Sequence, residues 1–367
     1  MGHIDDFHIQ GFRGLRDLKI ANLGQINLFV GNNNSGKTSV LEAASLFCDP
    51  FNWRRWYDLA GQRELVSGQR TTIMDRLSWF FPAGRNDTQN LASESPKIEL
   101  SASGDFTTEY VSVSYANFAE VHLRPAMPGE EQEEVVEGIS LKTTVYVRDS
   151  PSKSRIIYED IAPFSQWRIP VQYPSRSRIP TLPVQIVSLF SHRTGALTSQ
   201  LWSGVVEADL KEETIKLLRF FDPAIEDVDI LSPSEHSQIL SIKHKRLGRA
   251  PLSTFGDGLR RVFTLATSIP RARNGLLLID ELETAIHTKA LEKTFDWLVE
   301  ACVSNNIQLL ATTHSLEALD TILDVSRENA DFVVYRLQQD EKQTTAKRFD
   351  KEMTLRLREE LGMEMRY

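Results

Sequence analysis

Hydrophobic and polar residues alternate in the first 30 positions with the two-residue period of β-strands. Ile4 to Gln10 alternates, and Gln25 to Val30 is a run that leads directly into a glycine. From Gly36 to Phe47 the apolar residues recur at helical spacing instead, on a stripe that includes Val40 and Ala44. The pattern predicts a strand, a short glycine-containing loop and a helix.

After Pro183 the pattern becomes one of alternating strands and helices. Gly275–Asp280 and Ile307–Thr312 are largely apolar, which is typical of strands buried on both faces of a parallel sheet. Further helices are predicted at 211–221, 256–269, 291–303 and 315–323, and further strands at 228–231 and 239–243. We expect the tail to add edge strands at 332–335 and 347–349 and a charged final helix.

The middle of the chain, from Pro50 to Pro183, has a different texture. Short alternating segments at 97–102, 110–115 and 140–147 are separated by Gly, Pro and polar turns, which predicts an antiparallel β region. Helical material is predicted at 74–81. The acidic stretch from Gly129 to Gly138 is expected to be an exposed loop or a solvated helix face.

Composition narrows the class of protein. Of the 367 residues, 41% are hydrophobic and 25% are charged, as in ordinary soluble globular proteins. No apolar run is long enough to span a membrane, and the N-terminus lacks the features of a signal peptide. Cys48 and Cys302 are the only cysteines, so the sequence offers no disulfide framework. We therefore expect a cytoplasmic protein without a membrane partner.

The charge balance bears on nucleic-acid binding. A net charge of −8 disfavours a general affinity for DNA. A local patch is the alternative, because Ile161–Val206 lacks acidic residues and a second basic cluster occupies Lys243–Arg246. The arginines of the first stretch are Arg168, Arg176, Arg178 and Arg193. Solvated loop charges are the simpler interpretation of both.

A phosphate-binding loop lies between the first buried strand and its helix, and its sequence is Gly31-Asn32-Asn33-Asn34-Ser35-Gly36-Lys37-Thr38. In such a loop, backbone N–H groups surround the phosphates of a nucleotide. Lys37 supplies a positive charge, and the Thr38 hydroxyl ligates Mg²⁺. The predicted cofactors are ATP and Mg²⁺, and the predicted nucleotide-binding residues are Asn32, Asn33, Asn34, Ser35, Gly36, Lys37, Thr38 and Ser39.

Two carboxylates end the buried strand Leu276–Ile279. Asp280 is expected at the carboxyl edge of the sheet, within reach of the same Mg²⁺. Glu281 would then act as the general base that polarises the attacking water. An apolar strand that ends in acids is commonplace by itself, and the phosphate-binding loop is what favours the functional interpretation.

Two further elements flank this strand. Pro251–Arg261 places a glycine-rich turn at the start of a helix, which is an anion site, although a plain capped helix is the alternative. His314, in Thr312-Thr313-His314-Ser315, follows the second buried strand. An imidazole there can hydrogen-bond a γ-phosphate, although a lone histidine is more often structural.

These motifs resemble those of the SMC- and RecF-like ABC ATPases, and most of all the OLD-type group. The resemblance rests on Gly11-Phe12-Arg13-Gly14-Leu15, Gly31 to Thr38, Pro251 to Arg261, Asp280-Glu281-Leu282-Glu283 with His287, and Ala311 to Leu316. It implies a two-lobed P-loop α/β fold of the ABC ATPase type with a β-rich insertion. It also implies that two copies sandwich the nucleotide, as a homodimer or a higher even-numbered oligomer, and that Arg13 contacts the nucleotide or a bound polymer. His314 takes the position of the switch histidine.

The same resemblance predicts the domain organisation. Residues 1–48 would form the N-terminal half of the ATPase domain with the phosphate-binding loop, and residues 49–183 a β-rich and helical insertion. Residues 184–350 would form the C-terminal half, which carries the signature, the acidic strand and the switch histidine. Residues 351–367 would form a C-terminal helix.

The chain also departs from the family pattern. The Leu-Ser-Gly-Gly-Gln signature is absent as such, so either Ser253 supplies its hydroxyl or Gly256, Asp257 and Gly258 supply backbone amides to the partner's γ-phosphate. No glutamine can be assigned to the Gln-loop. OLD nucleases carry a Toprim nuclease domain after the ATPase, and the stretch after His314 is too short for one. We therefore expect any nuclease to act in trans.

Three functions compete at this point. The first is a regulatory ATPase that controls a separately encoded effector protein, such as a nuclease, in bacterial antiviral defence. The second is a RecF-like ATPase that binds DNA in repair, which Arg13 and the basic stretch would serve. The third, a transporter subunit, fits least because the signature is non-standard and the insertion is large.

Overall fold

The computed structural model describes residues 2–62, 71–82, 96–127, 130–149, 155–165, 170, 179–194, 199–234, 237–326, 330–340 and 343–359. The strands are β1 (Asp6–Phe12), β2 (Leu15–Ile20), β3 (Ile26–Gly31), β4 (Lys97–Ser103), β5 (Thr108–Met127), β6 (Glu130–Arg148), β7 (Arg155–Ser165), β8 (Val184–Val187), β9 (Ile225–Ser234), β10 (Ser237–His244), β11 (Gly248–Pro251), β12 (Leu276–Ile279), β13 (Gln308–Thr312), β14 (Phe332–Gln339) and β15 (Thr344–Asp350). The helices are α1 (Lys37–Cys48), α2 (Trp53–Gln62), α3 (Ile73–Ser78), α4 (Ser191–Thr194), α5 (Ser199–Glu207), α6 (Lys211–Phe221), α7 (Asp257–Ala272), α8 (Thr288–Ser304), α9 (Leu316–Val325) and α10 (Lys351–Glu359), and a 3₁₀ turn spans Leu252–Thr254.

The central sheet has the strand order β15-β14-β3-β13-β12-β8, and all its strands except β15 run parallel. Every residue of β3, β12 and β13 is buried, because both faces of the sheet are covered. This explains the continuous apolar runs in the sequence. β14 lies inside the sheet, between β3 and β15, so the expectation that residues 332–335 form an edge strand is wrong.

Side-chain alternation divides this sheet between two cores. In β12, Leu277 and Ile279 point into one core, which α6, α7, α8 and α9 cover. Leu276 and Leu278 point into the other core, which includes α1 and the second sheet. Helix α1 is buried along nearly its whole length, so the phosphate-binding loop that precedes it is held from both sides.

The second sheet is antiparallel, with the order β2-β1-β4-β5-β6-β7. It joins residues from the start of the chain to the middle region, since β1 pairs with both β2 and β4. β5 and β6 extend past their neighbours as a two-stranded ribbon, in which Glu120 faces Val136 and Met127 faces Glu130. Most of the acidic stretch 129–138 is therefore strand, not loop or helix, because pairing with β5 outweighs the low strand propensity of glutamate.

A third sheet, β11-β10-β9, leads through the 3₁₀ turn into α7. The helices at 211–221, 256–269, 291–303 and 315–323 were predicted within a few residues, and Ser315 caps α9 by accepting a hydrogen bond from the Ala318 amide at 3.2 Å. Helix α2 was not predicted. Among the described residues, no helix is both long and apolar enough to span a bilayer.

Candidate nucleotide-binding site

The phosphate-binding loop adopts a shape that needs its glycines. Gly31 has φ 142° and Gly36 has φ 92°, both in the region that favours glycine. A Cβ on Gly31 would collide with the Leu337 carbonyl, and one on Gly36 would lie 2.6 Å from the Leu15 side chain. The loop therefore turns tightly from β3 into α1 and leaves the first N–H groups of α1 without helical partners.

Lys37 carries a buried positive charge at the start of α1. Its side chain is only 5% exposed, and Nζ donates to the carbonyls of Gly31 and Asn32 at 2.8 and 2.9 Å. Burial lowers the pKa of Lys37 to about 8, and the nearby carboxylates of Asp280 and Glu281 only partly offset this. The ammonium group is thus held inside the loop before any phosphate is present.

Thr38 and Asp280 bring oxygen atoms together from the two sides of the site. The Thr38 hydroxyl lies 3.0 and 3.1 Å from the two Asp280 carboxylate oxygens, and the Thr312 hydroxyl donates to Asp280 at 2.8 Å. Among the described residues, no group of three His, Cys, Asp or Glu could hold a metal alone. One carboxylate and one hydroxyl fit Mg²⁺, which keeps waters and takes its other ligands from phosphates.

Glu281 stands at the entrance to the loop that follows β12. Its φ is 49°, and the Thr312 hydroxyl accepts from its backbone N–H at 2.8 Å. The Thr284 hydroxyl donates to its carboxylate at 3.0 Å. Thr312 at the end of β13 therefore holds the Asp280 carboxylate and the Glu281 backbone, and Thr284 holds the Glu281 carboxylate.

Glu283 organises the loop that carries His314. Its carboxylate accepts from the Thr313 hydroxyl at 2.9 Å and from the His314 backbone N–H at 3.1 Å. The resemblance singled out Glu283 without giving it a role. The two loops after β12 and β13 are thus linked directly.

Arg261, on α7, was not predicted to serve the site. It is fully buried and donates to the carbonyls of Ser188, Asp280 and Glu281 at 2.7, 2.9 and 3.1 Å. Burial lowers its pKa to about 10, so it stays charged at neutral pH. The guanidinium ties α7 to the backbone of Asp280 and Glu281 and to the segment after β8.

A cleft of about 1190 Å³ opens over these groups. The predicted residues that line it are Arg13, Asn33, Asn34, Ser35, Gly36, Lys37, Thr38, Ser39, Asp280, Glu281 and His314. Asn32 does not line the cleft and instead offers its carbonyl to Lys37. Unpredicted lining comes from one face of α2 and from Ser188 to Ser191.

Arg13 sits at the cleft wall in the turn between β1 and β2. Its Nε lies 2.7 Å from the Glu42 carboxylate, and its guanidinium lies 4.4 Å from the centroid of the Phe80 ring. Its side chain is 13% exposed and that of Glu42 only 3%. The guanidinium is therefore held in place between α1 and the end of α3.

The four signature candidates lie outside the cleft. Among the described residues that line it, none is Ser253, Gly256, Asp257 or Gly258. Ser253 is exposed in the 3₁₀ turn, and Gly256 is the exposed N-cap of α7. Asp257 pairs with Arg193 (Nε at 2.9 Å) and Arg260 (3.2 Å), and these contacts, the Arg193 hydrogen bond first, lower its pKa.

Most basic residues of the two candidate patches either form ion pairs or lie outside the described residues. Arg168, Arg176 and Arg178 lie outside the described residues. Arg193 pairs with Asp257, and Lys243 lies 3.1 Å from Glu226.

Two family models match the chain. Residues 3–149 match the model described as "AAA ATPase domain". Residues 143–320 match the model described as "AAA domain, putative AbiEii toxin, Type IV TA system". Between them the matched ranges contain the phosphate-binding loop, the acidic strand and His314.

Three relatives share sequence with the chain. MJECL11 of Methanocaldococcus jannaschii is 31% identical over 112 residues, which cover 30% of this chain and 98% of MJECL11. MJECL10 of the same organism is 44% identical over 139 residues, which cover 30% of this chain and 62% of MJECL10. A Helicobacter pylori protein named ATP/GTP phosphatase is 23% identical over 362 residues, or 89% of each chain.

The fold is that of an SMC head. A crystal structure of an SMC head bound to the C-terminal winged-helix domain of ScpA aligns with a TM-score of 0.51 at 12% identity, covering 96% of this chain and 99% of that chain. The chain belongs to the same family as MJECL11, and the matched models and the phosphatase identify it as an AAA/ABC-type ATPase. Such ATPase families use ATP and usually Mg²⁺.

Proposed function

We propose that this chain is a nucleotide-gated regulatory ATPase of the OLD type, in which two copies close around ATP and control a separately encoded effector in bacterial antiviral defence. The observation that carries the proposal is that the predicted site residues lie in two separate places in one chain. The residues for binding and cleaving ATP line one cleft, whereas the signature candidates lie outside it. A second copy would complete the site.

Within one copy, the loop and Lys37 bind the β- and γ-phosphates. The backbone N–H groups at the start of α1 donate hydrogen bonds to the phosphates, and the helix dipole adds to this attraction of negative charge. Lys37 moves its donor hydrogens from the loop carbonyls to the phosphates. Ser39 and Arg13, which line the same cleft, would contact the α-phosphate and the ribose.

Thr38 and Asp280 would hold Mg²⁺, whose role is to neutralise charge on the phosphates. Thr312 keeps the Asp280 carboxylate turned toward Thr38. Because Asp280 is already oriented, little reorganisation accompanies binding.

Glu281 accepts a proton from the water that attacks the γ-phosphate, and His314 donates a hydrogen bond to that phosphate. Thr284 restrains the Glu281 carboxylate, and Glu283 restrains the backbone of His314. These contacts hold the base and the sensor in one orientation, as positioned catalysis requires.

The N-terminus of α7 caps the partner's γ-phosphate. Gly256 exposes the free N–H groups of a long helix, and Ser253 adds a hydroxyl beside it. The charge of Asp257 would oppose a phosphate there, but Arg193 and Arg260 balance it.

The description "putative AbiEii toxin, Type IV TA system" of the matched family supports an effector in trans, because a toxin–antitoxin system has more than one component. DNA repair is the second candidate. It has less support, because Arg13 is engaged with Glu42 and Phe80 and Arg193 with Asp257. Strong stimulation of hydrolysis by duplex DNA at low salt would favour it instead.

Glu281→Gln tests the proposal. It removes the base and keeps the shape, so hydrolysis should fall by about 10²–10⁴-fold while ATP still binds. Light scattering after gel filtration should show ATP-dependent dimers accumulating in this variant. Effector candidates encoded beside the gene should co-purify with the trapped dimer.

The matched control is Glu292→Gln, an exposed glutamate of α8. It should hydrolyse ATP at the parent rate. If Glu281→Gln turned over like the parent, the base would be misassigned. If it stayed monomeric with ATP bound, the shared site would be refuted.

A further inference from the structure

Helix α2 presents one polar face to the cleft. Its cleft-lining residues are Arg54, Tyr57, Asp58, Gly61 and Gln62, which follow the i, i+3, i+4, i+7, i+8 spacing of a single helical stripe. The opposite face is buried and consists of Trp53, Trp56, Leu59 and Ala60. The helix is therefore anchored by its aromatic side and offers its polar side to whatever fills the cleft.

The anchoring contacts fix this wall relative to the phosphate-binding helix. Trp56 Nε1 donates to the Pro50 carbonyl at 3.0 Å, and its ring meets the Phe80 ring at 5.7 Å, edge on. Arg55 donates to the Ser45 carbonyl of α1 at 3.0 Å. Because α1 begins with Lys37, this contact holds the wall against the helix that carries the phosphate-binding lysine.

The position of the wall in the cleft indicates what it binds. Glu281 and His314 line the part of the cleft where the attacking water and the γ-phosphate are proposed to bind. Arg261 donates to the carbonyls of both Ser188 and Glu281, so Ser188 belongs to the same part. Trp56 of α2 and the Arg13 guanidinium both contact the Phe80 ring, so α2 lies on the side of the cleft that Arg13 occupies. A nucleotide whose phosphates lie in the loop must place its base away from the attacking water.

We propose that this face of α2 is the nucleobase subsite and that it takes a purine. The inference rests on the proposed binding of nucleotide phosphates by the loop. Tyr57 supplies the stacking surface, since every base offers a π-face to an aromatic ring. The Arg54 guanidinium lies 5.8 Å from the centroid of the Tyr57 ring and 2.9 Å from the Asp58 carboxylate, which holds the stripe together.

Gln62 reads the edge of the base. An amide side chain carries both a donor and an acceptor and matches the N6 and N7 edge of adenine in a bidentate fashion. The Asp58 carboxylate accepts from an exocyclic amino group. Cytosine, with its single ring, offers a smaller stacking surface to Tyr57.

The test compares a nucleotide with its phosphates alone, using ligands that are not hydrolysed. Calorimetry would measure the binding of Mg-ADP, Mg-CDP and Mg-pyrophosphate to the full chain. Tyr57→Ala should weaken ADP about tenfold and leave pyrophosphate unchanged. Tyr57→Phe should restore ADP binding, and Gln62→Leu should weaken ADP binding without changing pyrophosphate binding.

Trp79→Ala is the matched control, because Trp79 is 59% exposed and does not line the cleft. It should bind all three ligands like the parent, and thermal melting would show that each variant is folded. Parent-like ADP binding by folded Tyr57→Ala, equal loss of pyrophosphate, or parent binding of CDP as tight as ADP would each overturn the subsite. If the parent bound neither ADP nor pyrophosphate, the proposed function would fall first.

Discussion

The two parts of the proposed catalytic site, the cleft around Lys37 and the N-terminus of α7, differ in how completely one chain builds them. In the cleft, hydrogen bonds from Thr38 and Thr312 already orient Asp280, and Lys37 is buried. At the N-terminus of α7, Ser253 and Gly256 are exposed.

This difference shows where control can enter. We expect a preassembled cleft to bind nucleotide without a partner, whereas hydrolysis would require a second copy that brings the α7 N-terminus. Arg261 is the mechanical link between the parts, since it lies on α7 and holds the backbone of Asp280 and Glu281. In the proposed dimer, closure would therefore act on Glu281 through one side chain.

The largest effects are expected from two separate variants, one that changes the cleft and one that changes the N-terminus of α7. Lys37→Ala should abolish ATP binding, because the loop loses its only cation. Gly256→Glu should keep ATP binding and abolish hydrolysis. A Cβ at Gly256 meets no atom within 4 Å and its φ is −61°, so the variant should fold, but its charge would repel the partner's phosphate.

Mixing the two inactive variants should restore activity. Random pairing makes about half of the dimers mixed, and each mixed dimer has one intact composite site, so about a quarter of the parent rate should return. Gly256→Ala serves as the size control and should retain most activity. Mixtures that stay inactive while both variants fold would show that the two parts do not work across a dimer.

A smaller effect is expected from breaking the link itself. Arg261→Met leaves three backbone carbonyls without their donor, and kcat should fall about 10–100-fold with little change in the affinity for ADP. The free energy of unfolding should fall by about 3 kcal/mol, because buried polar groups lose their partners. Steady-state kinetics and chemical denaturation would measure both.

Arg271→Met is the matched control, since Arg271 is exposed near the end of the same helix. It should behave like the parent. Arg261→Lys keeps the charge but not the fork of donors and should fall between the two. A rise in KM without a fall in kcat would show that Arg261 supports substrate binding and does not link α7 to Glu281.

The cleft was easier to predict from the sequence than the parts around it. Gly31 to Thr38 is contiguous and sits between a strand and a helix, and the burial of β12 on both faces gives an unmistakable apolar run before Asp280. Glu283 and Arg261 stand inside motifs noted in the sequence. Their roles depend on contacts with residues 19 to 73 positions away, which no local pattern encodes.

Helix α2 was missed although its signal is present. Trp53, Trp56, Leu59 and Ala60 recur at helical spacing, but they lie in a region whose overall texture is that of short strands. In the ribbon of β5 and β6, a loop or a helix face was predicted where the structure has a strand. Local propensity favoured a loop at Glu130, and cross-strand pairing decided otherwise.

The smallest expected effect is a pH dependence that separates binding from stability in the cleft. Burial lowers the pKa of Lys37 from 10.5 to about 8, and bound phosphates should raise it again. ADP affinity should therefore be flat below pH 8 and fall with rising pH above it, by up to about tenfold per unit. The unfolded chain binds the extra proton between pH 8 and 10.5, so over that range Lys37 should contribute increasing stability as affinity falls. Calorimetry in buffers of different ionisation enthalpy should detect proton uptake on ADP binding at pH 9 and none at pH 7; equal affinity at both would mean that the cleft does not hold Lys37 as a buried, titrating cation.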